Sequence, residues 1–111
     1  MPETKTDLLQ GTLDLIVLKL LGAGPANGWD LTQSIQAVSR GVLDVNYGSV
    51  YPALRRLEAR GFVTATWAAS ENNRRARYYR LTSAGRKQFS AEQASWERFS
   101  HALRLILAAP K

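Results

Sequence analysis

The sequence predicts an α+β fold, mainly α, in which short helices lead to one β-hairpin and a long helix closes the chain. Three observations predict it. The stretch Asn46–Gly61, NYGSVYPALRRLEARG, sets Val50, Leu54 and Leu57 at i, i+4 and i+7, the spacing of a helix buried on one side. Directly after it, Phe62–Ala69 (FVTATWAA) and Arg77–Thr82 (RYYRLT) alternate and are rich in β-formers, with polar SENNRRA between them. From Ser83 to about Ala108, the residues Phe89, Glu92, Trp96, Phe99, Leu103 and Ile106 step by three and four, as in a heptad seam.

The elements follow in chain order. Thr6 or Asp7 can cap a first helix running to about Leu21, where Gly22 and Gly24 stop it. Leu9, Leu13, Ile16 and Leu20 form one face of this helix, and Leu8, Leu15 and Leu18 lie away from it. A helix apolar nearly all round must be buried on two sides. In so small a domain one side meets the core and the other a second protomer, which makes Leu8, Leu15 and Leu18 candidate dimer contacts. GAGPANG, Gly22–Gly28, reads as a turn; its spacing is wrong for a phosphate-binding loop, and it follows a helix rather than a strand. Trp29–Arg40 reads as a second helix, with Leu31, Ile35 and Val38 toward the core and Gly41 ending it. Val42–Val45 is a short extended link or a minor strand.

In the third helix Ser49 reads as the N-cap, Pro52 then falls in the first turn, and Gly61 sits just past the end. Ser49, Pro52, Arg55, Arg56 and Ala59 lie opposite the apolar face, with Tyr51 on the flank. An apolar back, a small polar start and outward arginines suit the major groove of DNA. The hairpin that follows carries Asn72, Asn73, Arg74 and Arg75 at its tip, with Arg77 just beyond. A helix followed by a basic hairpin is the order of a winged helix-turn-helix, here residues 1–82. Thr82 caps the last helix, residues 83–111 with its tail. At 1.5 Å per residue this helix is roughly 38 Å long, which outruns so small a core. Its seam of Phe89, Trp96, Phe99, Leu103 and Ile106, broken only by Glu92, is therefore expected to dimerise.

Four stretches of the chain resemble the PadR family of bacterial transcriptional regulators, of the compact type with a single C-terminal helix. They are LLQGTLDLIVLKLL, NYGSVYPALRRLEARGFV, ENNRRARYYRLTSAGR and the helix after it. The resemblance implies a dimeric DNA-binding repressor; repression rather than activation follows from the resemblance alone. It further implies that a small aromatic effector is sensed, some family members holding theirs at the dimer interface, for which Trp96 and Phe99 are the candidate lining.

Charge supports the DNA reading independently. The chain is 111 residues long, one domain in size, and carries a formal net charge of +6. From Arg55 to Lys87 the basic residues are Arg55, Arg56, Arg60, Arg74, Arg75, Arg77, Arg80, Arg86 and Lys87, against Glu58 and Glu71. The rest of the chain is close to neutral, so the positive charge belongs to one region, as a nucleic-acid surface requires. Ser49, Tyr51, Arg55 and Arg56 are assigned to the major groove. Asn46, Tyr47 and Gly48 shape the turn before the helix and reach phosphates through backbone N–H groups. Asn73, Arg74, Arg75 and Arg77 are assigned to wing contacts, and Trp67 and Tyr79 to packing of the hairpin. The expected partner is a palindromic double-stranded operator; the rival assignment is a winged-helix module that holds an acidic protein surface.

Other chemistry finds no support. There are no cysteines, and His101 is the only histidine. No carboxylate pair or glycine-rich phosphate loop is evident, so neither an enzyme nor a bound cofactor or metal is expected. MPETKTD lacks the blocks of a signal peptide, and Leu8–Leu21, interrupted by Gln10, Asp14 and Lys19, is too short to span a bilayer. A cytoplasmic protein without a membrane segment is expected.

Overall fold

The computed structural model describes residues 2–111, with side chains from Gly11 onward. The elements are α1 (Pro2–Leu21), β1 (Ala26–Asn27), α2 (Gly28–Val38), α3 (Tyr47–Ala59), β2 (Val63–Ala69), β3 (Arg75–Leu81) and α4 (Ser83–Ala108). Because α1 starts at Pro2, Thr6 and Asp7 fall inside it and are not its caps, and the side chain of the candidate interface residue Leu8 lies outside the described ones.

The core is made where α1, α2 and α3 meet the hairpin. Leu13, Val17, Leu18 and Leu21 of α1 pack with Leu31 and Ile35 of α2, with Val50, Ala53, Leu54 and Leu57 of α3, and with Val63 and Tyr79 of the sheet. Removing a buried leucine such as Leu54 down to alanine takes away about 2–5 kcal/mol. Two expectations are corrected here. Leu18 is wholly buried by its own chain, so it is a core residue and not a dimer contact. A helix apolar all round carries several stripes, and among the described side chains the one that turns inward runs through Leu13, Val17, Leu18 and Leu21. Val38 is 74% exposed, because α2 ends there. Ser39 is its C-cap, and the left-handed turn falls on Arg40 and Gly41, at φ 55° and 80°.

The sheet has three antiparallel strands in the order β1-β3-β2. β1 lies within the stretch expected to be only a turn. Two residues are enough: Ala26 pairs with Tyr79 and Asn27 with Tyr78, and so short a strand leaves no periodicity to read. Residues Val42–Val45 form no strand. In the hairpin Val63 pairs with Leu81 and Trp67 with Arg77. Pairing extends to Ala69 and Arg75, leaving Ser70–Arg74 as the loop. Asn73 takes the left-handed position in it, φ 58°, one that asparagine tolerates.

Thr82 starts α4: its hydroxyl accepts from the Gly85 N–H at 3.0 Å and donates to the Gly61 carbonyl at 2.7 Å. Gly85 is buried, and a Cβ there would meet the Phe62 carbonyl oxygen, so only glycine lets the helix start this close to β2. The first turns of α4 pack on the domain through Phe89. Beyond Ser100 every residue is exposed. The projecting helix draws the molecule out to 58 × 29 × 25 Å. Among the described residues no helix is long and apolar enough to cross a membrane.

Candidate nucleic-acid interface

α3 lies with one face in the core and the other in solvent. Its start differs from the expected one. Asn46, not Ser49, is the N-cap: its Oδ1 accepts from the Ser49 N–H at 3.1 Å. Asn46 sits where the chain is still extended, at φ −106° and ψ 169°, and finds the Ser49 N–H three residues on, whereas Ser49 as a cap would face Pro52 at that spacing, which has no N–H to give. Ser49 is thereby placed inside the helix with its hydroxyl outward, and Pro52 falls in the second turn, facing solvent. The end closes as expected. Gly61, at φ 79°, is left-handed; its N–H donates to the Glu58 carbonyl, and that of Phe62 to Leu57.

The outer face of α3 presents Tyr47, Ser49, Tyr51 and Arg55. The Tyr47 and Tyr51 rings are 5.8 Å apart. Arg55 Nη1 donates to the Tyr51 hydroxyl at 3.1 Å, a hydrogen bond that favours its charged form, and the guanidinium also lies over the same ring. This pairing orients a guanidinium outward on an exposed surface while leaving most of its donors free. Tyr47 is seated on α2: a Cβ at Gly28 would collide with its ring.

Two arginines expected at the DNA surface have partners within the fold. Arg56 Nη2 donates to Asp14 Oδ1 at 2.7 Å, tying α3 to α1. The sequence groups Arg56 with Arg55, but the two are separated by one helical step, and Arg56 turns toward the α1 flank. Arg77 Nη2 donates to Glu58 Oε2 at 2.7 Å, tying the hairpin to α3. Arg74 and Arg75 make no ion pair among the described residues, and Arg75 stacks on Trp67 at 5.6 Å from the ring centroid. With Asn73 they point from the hairpin into solvent.

Trp67 corrects an expectation. Alternation assigns it to packing of the hairpin, yet it is 60% exposed, whereas Tyr79 is buried. Both lie on the sheet face that meets the helices. Along that face Val63 is buried, Ala65 half-buried and Trp67 exposed; Tyr79, Arg77 and Arg75 repeat the gradient. The strands outrun the core, so the same alternation that packs at one end overhangs at the other. Between this overhang and the starts of α2 and α3 lies an open groove of about 510 Å³, lined by Trp29, Tyr47, Tyr51, Trp67, Arg74 and Arg75 among others. Trp29, 63% exposed, reads in the sequence only as part of the second helix. Its position at the helix start beside the hairpin needs β1, which the sequence does not announce.

On the far side, Leu15, Ile16 and Leu20 of α1, Ile35 of α2, and Phe89 and Trp96 of α4 line an apolar groove of about 350 Å³. Leu15 and Phe89 are half-buried there; Trp96, Phe99, Leu103 and Ile106 are exposed along α4, Trp96 and Phe99 with their rings 5.7 Å apart. Among the described residues no group of His, Asp and Glu could hold a metal.

Comparison with known proteins gives the same fold and a family. A transcriptional regulator from Clostridium thermocellum superposes with a TM-score of 0.79 at 26% identity, covering 88% of this chain and 92% of that one. A PadR family transcriptional regulator from Eggerthella lenta superposes with a TM-score of 0.80 at 26% identity, covering 98% and 93%. Both of these similar proteins are regulators of transcription. The family model for the transcriptional regulator PadR-like family matches residues 17–91, from the middle of α1 to the first turns of α4. The fold is a winged helix with a long C-terminal helix, and the chain belongs to the PadR-like family of transcriptional regulators.

Proposed function

We propose that this chain acts in the cytoplasm as a homodimeric repressor that reads a palindromic DNA operator and is released by a small aromatic effector. The observation that carries the DNA reading is that Tyr47 and Tyr51 of α3 and Arg74 and Arg75 of the basic hairpin border one open groove. In this reading residues 1–82 are the DNA-binding unit. Asn46, Tyr47, Ser49, Tyr51 and Arg55 meet the major groove and its flanking phosphates, and Asn73, Arg74 and Arg75 meet the backbone at the wing. Arg77 holds the wing to α3 and contacts DNA only at its edge. Residues 83–111 pair with the partner's copy through Phe89, Trp96, Phe99, Leu103 and Ile106, assisted by Leu15 of α1. Exposed apolar side chains in such number on one helix support that pairing. The groove between α1 and α4 supports an effector site walled by Phe89 and Trp96, whose rings match an aromatic compound; Phe99 stands outside its lining, beside Trp96.

Binding to duplexes selected from random sequence tests the reading. Replacing Arg74 and Arg75 together with alanine changes folding stability by less than about 0.5 kcal/mol per site, since both are exposed. Affinity should fall for all duplexes alike, and the slope of log affinity against log salt should shrink by about one for each phosphate that is no longer held. An unchanged slope removes the wing from the DNA surface.

Arg55→Ala separates base reading from phosphate contact. If the guanidinium pairs with guanine N7 and O6, the variant loses about 1–3 kcal/mol on the best site and relaxes preference at one base position. Equal weakening on every sequence would reassign Arg55 to a phosphate.

A further inference from the structure

Resting on that DNA-binding reading, we infer that the groove between α3 and the hairpin holds one sugar–phosphate strand of the operator, gripped by Trp29 and Trp67. The geometry of a duplex requires a strand here. The strand that separates a major groove from the neighbouring minor groove passes between any element in the first and any element in the second. With α3 in the major groove and the hairpin beside the minor, that passage is the open space bounded by Trp29, Tyr47, Tyr51 and Trp67.

The lining suits a strand and not a base edge. Trp29 and Trp67 are more than half exposed, and neither belongs to the core. Two exposed indoles facing one groove offer flat apolar surface, which packs on deoxyribose faces and is indifferent to sequence. Arg74 and Arg75 stand beside them for the phosphates, and Arg75 is held in place by its stack on Trp67. Gly28 lets the Tyr47 ring close the floor. Two carboxylates also border the groove, Asp30 at the start of α2 and Glu71 in the hairpin loop. Facing a phosphodiester they repel it, and so limit how tightly any duplex is held.

The full-length chain tests this on two duplexes, one selected from random sequence and one unrelated, across a salt series. Trp29→Ala and Trp67→Ala should each weaken both duplexes by the same factor, roughly ten-fold. The salt slope of Trp29→Ala should stay at the wild-type value, because an indole releases no counterion, while that of Trp67→Ala should shrink by at most about one, through the Arg75 it no longer holds. Trp67→Phe should recover most of the loss, since a ring remains for the sugar and for Arg75. The double variant Asp30→Asn, Glu71→Gln should tighten both duplexes a few-fold at low salt and less at high salt, by removal of the repulsion. Thermal melts confirm that these exposed positions leave the fold intact. The inference is overturned if the tryptophan variants bind like wild type, if their losses fall on the selected duplex alone, or if neutralising the two acids changes nothing. A wild-type chain that binds neither duplex overturns the DNA-binding reading itself, a distinct result.

Discussion

Asp14→Ala should destabilise the domain by about 2 kcal/mol, the range for losing a hydrogen bond to a charged group. Asp14 lies on α1 amid core residues, with its side chain only 13% exposed, and among the described residues its one partner is the Arg56 guanidinium. Arg56 Nε is buried and has no hydrogen-bond partner, so the ion pair is what compensates burial of that arginine. Removing the acid leaves a partly buried positive charge alone, and water can reach it from the one-third of the side chain that is exposed. That access keeps the loss below the 3–5 kcal/mol, approximately, of a fully buried pair. The converse change is expected to be mild. Asp14→Leu combined with Arg56→Met removes both charges and fills the space, and should restore most of the stability lost in the single variant. Denaturant melts of Asp14→Leu, Arg56→Met and the double close the cycle. Should Asp14→Ala melt with the wild type, the pair is a surface contact and α3 is held by its apolar face alone. DNA binding supplies a second reading: with its guanidinium engaged by Asp14, Arg56→Met should keep the wild-type salt slope, whereas a smaller slope would show that Arg56 also touches phosphate.

That arginine illustrates which parts of the site are legible in the sequence. The helix, hairpin and terminal helix follow from local period, and each is found close to its expected bounds. α3 is legible because its apolar stripe is single: Val50, Leu54 and Leu57 are all buried. α1 is not, because it is apolar on several sides and period alone does not say which stripe turns in. Asn46 escapes as a cap because two capping residues stand three apart, and only the backbone angles decide between them. Arg56 and Arg77 read as free cations because their acids, Asp14 and Glu58, come from other elements. Trp67 reads as packing because alternation does not say where the core beneath a strand ends. Trp29 joins the surface only through β1, whose two residues carry no periodic signal. Local patterns thus yield the elements, and what escapes them are pairings set by tertiary contact.

Deleting Trp96–Lys111 should abolish specific operator binding while leaving the helix-turn-helix and hairpin folded. Among the described residues the buried core runs from Leu13 to Tyr79, so the deletion removes none of it. The start of α4 keeps its cap, its glycine approach to Phe62 and the half-buried Phe89. The deletion takes away Trp96, Phe99, Leu103 and Ile106, the exposed seam assigned to the partner protomer. One short helix and one hairpin touch few base pairs, so a lone protomer discriminates poorly. A two-fold pair doubles the protein–DNA surface and fixes two half-sites about one helical turn apart. The truncated chain should therefore run as a monomer, or associate non-specifically through the groove that Trp96 no longer covers. It should bind a half operator about as well as a whole one, with the residual affinity carried by phosphates and falling steeply with salt. Light scattering gives the size, and titration of whole and half operators gives the coupling. A full-length chain that is monomeric at micromolar concentration and prefers no whole operator over a half would end the dimer model. In that case the exposed seam of α4 would need another occupant.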